Sequence, residues 1–285
     1  MNTARTKDTH SSNQLGVLAM LASALMFSTG GLLIKLIPWN PLAINGGRNL
    51  IGLCVIGLYL LITRHRIRFN RTVLAGAACI MLATSFYSIA TKLTTAGNAV
   101  VLQYTAPIWI IVMMFVFFRE KPGRLEISTI LVVLAGILCF FLESLSVGKI
   151  AGDLCAVMAG IFYAGMFMMN RFEDGDALSS MFIGELITGI VFSPMILRET
   201  VFGASALIPL FLLGAVQIGV AYIFFSYGTA HIDPVTASII NALEPILNPI
   251  LVAVFYGEKL GRLSIAGAAV VIAGILFYNI AKLRR

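Results

Sequence analysis

Charge is in short supply in this sequence: 12% of its 285 residues are Asp, Glu, Lys or Arg, against roughly 25% in a water-soluble domain. A surface so poor in charge is not built for water, which excludes a soluble globular protein. Histidine is scarce too, with three residues, at 10, 65 and 231, in tails and connections and without metal-ligand spacing. The four cysteines, Cys54, Cys79, Cys139 and Cys155, form no CxxC pair, so neither zinc nor a disulfide framework is implied. No GxxxxGK[ST] loop is present, which argues against ATP hydrolysis and a primary pump. This inventory implies no metal, no cofactor and no enzyme.

Apolar residues supply what charge does not. They make up 59% of the chain, at a mean hydropathy of +0.95. They come in runs of about 20, enough to cross a bilayer core of roughly 30 Å as helices. The polar stretch 1–13 precedes a run from Leu15 to Ile37. That run is too long for a signal-peptide core, and no small-residue cleavage site follows it. Further spans are expected at 41–63, 72–92, 97–118, 126–143, 150–170, 178–197, 206–228, 234–256 and 262–281. The expected class is therefore an all-α integral membrane protein with ten transmembrane helices. Short connections carry helix-end chemistry: in "HIDP", Asp233 suits an N-cap and Pro234 the first helical position.

Lysine and arginine set the orientation, because they collect in cytoplasmic connections. With the amino terminus inside, thirteen of them lie on inner segments: Arg5, Lys7, Arg64, Arg66, Arg68, Arg71, Arg119, Lys121, Arg124, Arg171, Lys282, Arg284 and Arg285. Six lie outside: Lys35, Lys92, Lys149, Arg198, Lys259 and Arg262. Both termini are expected in the cytoplasm of a multi-pass inner-membrane protein. The formal charge of +7 is then topology, not a nucleic-acid footprint.

The chain also repeats itself. Sliding it by 138 positions pairs Phe86–Leu138 with Phe224–Leu276 and leaves 20 of 53 positions identical. "REKPGRLEISTILVVLAGIL" and "GEKLGRLSIAGAAVVIAGIL" close the matched segments. Pro107 meets Pro245, and Glu120 meets Glu258. The expected division is a tail at 1–14, a first five-helix repeat at 15–145 and a second at 146–285 that ends in a short cytoplasmic tail. Because five is odd, the second copy enters the membrane from the other side, giving the inverted topology common in secondary transporters.

These features resemble a known family over essentially the whole chain. An arginine early in the second span is one mark. The paired segments "APIWIIVMMFVFFREKPGRLEISTILVVLAGIL" and "EPILNPILVAVFYGEKLGRLSIAGAAVVIAGIL" are the other. Together they are similar to the EamA type of the drug/metabolite transporter superfamily. The resemblance implies a pseudosymmetric basket of helices around a central cavity, with the fifth and tenth helices peripheral. It also implies transport of small metabolites, often amino acids.

Strongly polar side chains in hydrocarbon cost roughly 2.5–3.5 kcal/mol and so turn inward, where they mark candidate sites. Arg48, Glu185 and Glu244 are the charged residues well inside the spans. Asn45, Arg48 and Asn49 share one helical face, and Arg48 suits either a substrate carboxylate or a structural anchor near the helix start. In the ninth span Ser238, Asn241, Glu244 and Asn248 form a polar stripe beside Pro245 and Pro249. The 138-residue shift matches Asn241 with Gln103 but Glu244 with Ala106, so the acid breaks the repeat. Glu244 is expected to receive a substrate ammonium or a proton, against a purely structural hydrogen bond. Glu185, between Gly184 and Gly189, is a second proton-coupling candidate, or a carboxyl bonded to a neighbouring helix. Glu120 and Glu258 read as helix-end acids engaged in interface pairing.

Tyr87, Tyr104, Tyr163 and Tyr222 combine ring faces with polar tips and are candidates for substrate contact. Packing and interfacial belts are the competing account of such aromatics. The expected function is secondary transport of a small polar or amphipathic metabolite, an amino acid or related compound moving outward. Alternating access would carry it, with the bilayer, the solute and a coupling proton as partners and no nucleic acid. An organic-cation or drug transporter is the alternative within transport, and a receptor or scaffold without flux the alternative outside it.

Overall fold

In the computed structural model the described residues are 2–94, 96–142, 150–256 and 261–283, without the side chains of 2–12, 31, 35, 91, 92, 96–98, 141, 248, 249, 252, 253, 256 and 283. Asn248, Pro249, Thr91, Glu258 and the lysines at 35, 92, 149 and 259 therefore lie outside the described side chains. Among the described residues all regular structure is helical. The helices are α1 (Asn2–Ser28), α2 (Gly30–Leu36), α3 (Pro41–Thr63), α4 (Arg71–Leu93), α5 (Ala96–Gln103), α6 (Ala106–Phe118) and α7 (Arg124–Phe141). They continue with α8 (Ile150–Met168), α9 (Ala177–Ile196), α10 (Ala204–Leu212), α11 (Ala221–His231), α12 (Pro234–Asn241), α13 (Glu244–Tyr256) and α14 (Arg262–Leu283). A π-helical stretch, Leu213–Val220, joins α10 to α11.

Helix starts follow local chemistry. Asn40, Asn70, Asp176 and Asp233 each accept a backbone N–H from the first turn that follows them. Pro41 and Pro234 stand just after two of these caps, where a missing N–H costs nothing. The sequence expectation for Asp233 and Pro234 holds as stated.

Eight helical stretches among the described residues are long and apolar enough to cross a membrane. Pro234–Leu247 is a shorter apolar one. Large side chains face outward along them, as with Leu61 (77% exposed), Leu154 (61%) and Phe277 (65%). In water such a surface would be an aggregation liability, whereas in lipid it is a solvated face.

Three expected spans are not continuous helices. The first pauses at Thr29, between α1 and α2. The fourth breaks between Gln103 and Ala106, and the ninth between Asn241 and Glu244. Pro107 and Pro245 lack an N–H, so the carbonyls of Gln103 and Asn241 lose their usual donors four residues on. The expected stripe through Ser238, Asn241 and Glu244 consequently does not lie on one continuous helical face.

Close approaches between helices are made at glycines. Gly46 of α3 meets the Phe192 backbone of α9, Gly189 of α9 meets Leu50, and Gly57 faces Phe182, so α3 and α9 run antiparallel. Gly136 of α7 faces Val270 and Val271 of α14, and Gly274 of α14 faces Val132 and Val133 of α7. Gly16 meets His231 and Ile232, while Gly152 meets Leu93 and Thr94. In both sets the touched residues are offset by 138, while the glycines are offset by 138 in the first set and 136 in the second.

The apolar core is not evenly distributed. Met20, Ile56, Ile110, Phe167, Met168, Met181 and Phe225 are all at most 1% exposed. They lie toward the end of the bundle that carries the connections at 64–70, 119–123, 171–176 and 232–233. A smaller buried cluster, including Trp39, Ala43, Ile44, Ala206, Leu210 and Leu213, lies toward the other end, beside the connections at 37–40 and 197–203.

Candidate functional site

The cavity has a volume of about 160 Å³, small beside the roughly 300–1,000 Å³ of sites for drug-sized ligands. Its wall is drawn from α1 to α5, α8, the π-helical stretch, α11 and the start of α13. Helix breaks border it at Gly30, at Gln103 and Tyr104, and at Glu244 and Pro245.

One pole is cationic. Arg48 comes from the first third of α3, where Asn45 Oδ1 accepts from its Nε at 3.0 Å and its Nη2 at 2.7 Å. Its Nη1 lies 3.5 Å from Gln217 Oε1. Asn45 is 2% exposed and stands behind the arginine rather than in the cavity. Asn49, next on the same face, donates to the Asn45 carbonyl. Asn45 thus fixes the guanidinium, which leaves its far end toward the cavity.

The other pole is acidic. Glu244 opens α13, and its Oε2 accepts from the Tyr163 hydroxyl at 3.3 Å and from Asn241 Nδ2 at 3.1 Å. Asn241 Nδ2 also donates to the Tyr163 hydroxyl at 2.7 Å. Asn241 is fully buried, and its Oδ1 has no partner among the described residues. A carboxylate at a helix N-terminus is favourably placed against the helix dipole. Between the poles the walls are aromatic: Phe27, Tyr87, Tyr104, Tyr163 and Tyr222. The rings of Tyr104 and Tyr163 meet edge to face at 6.2 Å, and those of Phe27 and Tyr222 at 5.5 Å.

The sequence model of the EamA-like transporter family matches residues 14–142 and again residues 150–280. The chain belongs to that family. An uncharacterized transporter of Archaeoglobus fulgidus is 25% identical over 275 residues, 92% of this chain and 95% of that protein. The uncharacterized transporter YwfM of Bacillus subtilis is 25% identical over 281 residues, 93% of each. A probable terminal-alkyne amino-acid exporter of Streptantibioticus cattleyicolor is 31% identical over 100 residues, 35% of this chain and 33% of that protein. A solved crystal structure shares the fold at a TM-score of 0.80 and 18% identity, covering 95% of this chain and 98% of that one.

In this EamA-like chain the structure brings together most of the side chains the sequence singled out. Arg48, Tyr87, Gln103, Tyr104, Tyr163, Tyr222 and Glu244 line one cavity. Asn45 and Asn241 support the two poles from behind. Glu185 does not line the cavity: it is fully buried on α9, and neither carboxyl oxygen has a hydrogen-bond partner among the described residues. The expected hydrogen bond from Glu185 to a neighbouring helix is not made among the described residues. Glu120 pairs with Arg171, as expected for a helix-end acid. Gln217, Thr84, Phe27 and Gly30 also line the cavity and were not singled out. The available signal was Gln217 itself, an uncharged amide alone in the apolar run "LLGAVQIGVAYIFF".

A second polar pocket of about 150 Å³ lies among Asn13, His231, Asp233, Thr236, Asn279 and Lys282. Lys282 Nζ donates there to Asp233 Oδ2 at 2.5 Å and to Thr236 Oγ1 at 2.6 Å. Burial raises the pKa of Asp233, but the charge and hydrogen bond of Lys282 outweigh it and hold that carboxyl below its ordinary value. This network ties the end of α14 to the start of α12 and needs no ligand to be satisfied.

Proposed function

We propose that this membrane protein is a secondary transporter that exports an amino acid or related metabolite across the cytoplasmic membrane by alternating access. The observation that carries the reading is one small cavity whose lining includes both Arg48 and Glu244, which form no salt bridge with one another. A zwitterion presents its carboxylate to the first and its ammonium to the second. The amino-acid exporter matched over a third of this chain supports the same class.

The architecture proposed for this activity is ten spans in two inverted repeats, 15–145 and 146–285, with both termini in the cytoplasm. Support comes from the twofold family match and from the glycine contacts that recur between the two halves. The antiparallel run of α3 against α9, and of α7 against α14, suits copies related by an axis in the membrane plane. In this reading α7 and the broken pair α12–α13 supply spans beyond the eight recognised by length and composition. Protons are the proposed coupling ion, with Glu244 in the cavity and Glu185 behind it as carriers.

A second reading, transport of an organic cation, is favoured by the aromatic walls around Glu244. Flux measured in proteoliposomes decides between them. Zwitterionic amino acids should exchange across the membrane, and cations without a carboxylate should compete weakly. Strong competition by such cations alone would replace the first reading by the second.

A further inference from the structure

Gln217 is 8% exposed, lines the cavity, and belongs to neither the sequence-derived site nor the regular helix on either side of it. It stands on the π-helical stretch Leu213–Val220, a rare geometry that concentrates at functional sites. The repeat partner of this segment lies in α4, where Gly76, Ala77, Ile80 and Ala83 match Gly214, Ala215, Ile218 and Ala221. There the position of Gln217 is held by Cys79, on regular helix and packed against Gly165. The second copy alone therefore carries both the widened turn and the amide. Glu244 departs from its copy in the same way, matching Ala106.

The donors at this pole are countable. A guanidinium has five N–H groups. Asn45 occupies the Nε and Nη2 edge of Arg48, and Nη1 approaches Gln217 Oε1. One N–H on each terminal nitrogen remains. Because Gln217 Oε1 faces the arginine, its Nε2 faces away, and that nitrogen makes no hydrogen bond among the described residues. Gly30 leaves room for it, since a Cβ there would stand 3.3 Å from Nε2. The free Arg48 end and the Gln217 amide thus present donors only, the requirement of a carboxylate.

We propose that Gln217 is a specificity-determining residue: with Arg48 it clamps the substrate carboxylate, so that the protein selects amino acids over analogues that lack the negative charge. The inference rests on the amino-acid reading above. The test uses the purified full-length protein and a panel of common L-amino acids, each beside its carboxamide, with binding followed by thermal shift and calorimetry. The wild type should prefer the acid of at least one pair. Gln217→Leu, and more strongly Gln217→Glu, should reduce that acid-to-amide preference about ten- to hundred-fold, the scale of a lost hydrogen bond to a charged group. Retained binding of carboxamides by either variant reports an intact cavity, so one folded variant suffices. An unchanged preference in both variants would overturn the role of Gln217 and leave the amino-acid reading standing. A wild type that binds acids and amides equally, or neither, would overturn the amino-acid reading and this inference with it.

Discussion

The break between α5 and α6 and the break between α12 and α13 are copies of one another with different chemistry. Each is followed by a proline, Pro107 or Pro245, and each presents an amide, Gln103 or Asn241, at the end of the preceding helix. Only the second adds a carboxylate, at the position where the first has Ala106. The proline-induced break is scaffold, because it frees carbonyls and opens room wherever it occurs. The carboxylate is specific to one copy, and it is held there by Tyr163 and Asn241. The two matched breaks thus share a proline and an amide and differ in the carboxylate.

The comparison breaks outright if the two copies do not face opposite sides. In a background without native cysteines, single cysteines at Asn98 and Gly261 should both react with an impermeant thiol reagent from outside, an all-or-none result. Labelling of one position without the other would remove the inverted-repeat reading.

The next largest effect is expected at the acid. Glu244→Gln keeps the side-chain shape and removes the charge, and should lower transport about ten- to hundred-fold in reconstituted vesicles. Glu120→Gln disrupts only an exposed ion pair with Arg171, for which about 0–1 kcal/mol of stability is typical. Wild-type flux and an unaltered pH profile in the Glu244→Gln protein would make Glu244 a structural residue.

A smaller effect sharpens the comparison within the scaffold. A Cβ at Gly136 would stand 2.7 Å from Val271 Cγ2, whereas one at Gly274 would find ordinary contacts of 3.4 and 3.5 Å. Gly136→Ala should therefore destabilise by about 1–3 kcal/mol through overpacking. Gly274→Ala should be neutral or stabilising, through about 1 kcal/mol of improved helix propensity. Thermal unfolding in detergent checks both, and equal shifts would show that the mirrored interface is not asymmetric in packing.

The smallest effect belongs to the connections. Asp176 caps α9 and lies 2.6 Å from His65 Nε2. Burial raises its pKa, but hydrogen bonds from Ser179 and His65 outweigh burial and hold the carboxyl below its ordinary value. A depressed carboxyl stabilises the fold above its unfolded value of about 4. That contribution is lost as pH falls through the lower folded value. Asp176→Asn keeps a competent cap but removes that contribution, so it should lower thermal stability modestly near neutrality and flatten the further loss in that acid range. An unaltered acid profile would show that the charge of Asp176 contributes nothing.

Some of the site was legible because its cost was legible. Arg48 and Glu244 stand out in hydrocarbon-length runs since nothing but an interior partner justifies them there. The tyrosines were legible only as a set, because a ring with a polar tip suits both a cavity and a packed interface. Glu185 was equally conspicuous, yet it sits behind the wall, since the rotation of α9 against α3 decides where its face points. Gln217 escaped notice because an amide carries no charge, and because a π-helical turn shifts the register that periodicity assumes.

The sequence by itself determined the medium, the helical class, the internal duplication and the side chains too polar for lipid. All of these follow from composition and from spacing along one dimension. Only the tertiary structure decided that Asn45 occupies one edge of Arg48 and that Tyr163 and Asn241 hold Glu244. Those outcomes depend on the relative rotation and depth of helices far apart in sequence, set by glycine contacts such as Gly46 with Phe192 and Gly52 with Ile218. Hydropathy and spacing carry no record of such rotations.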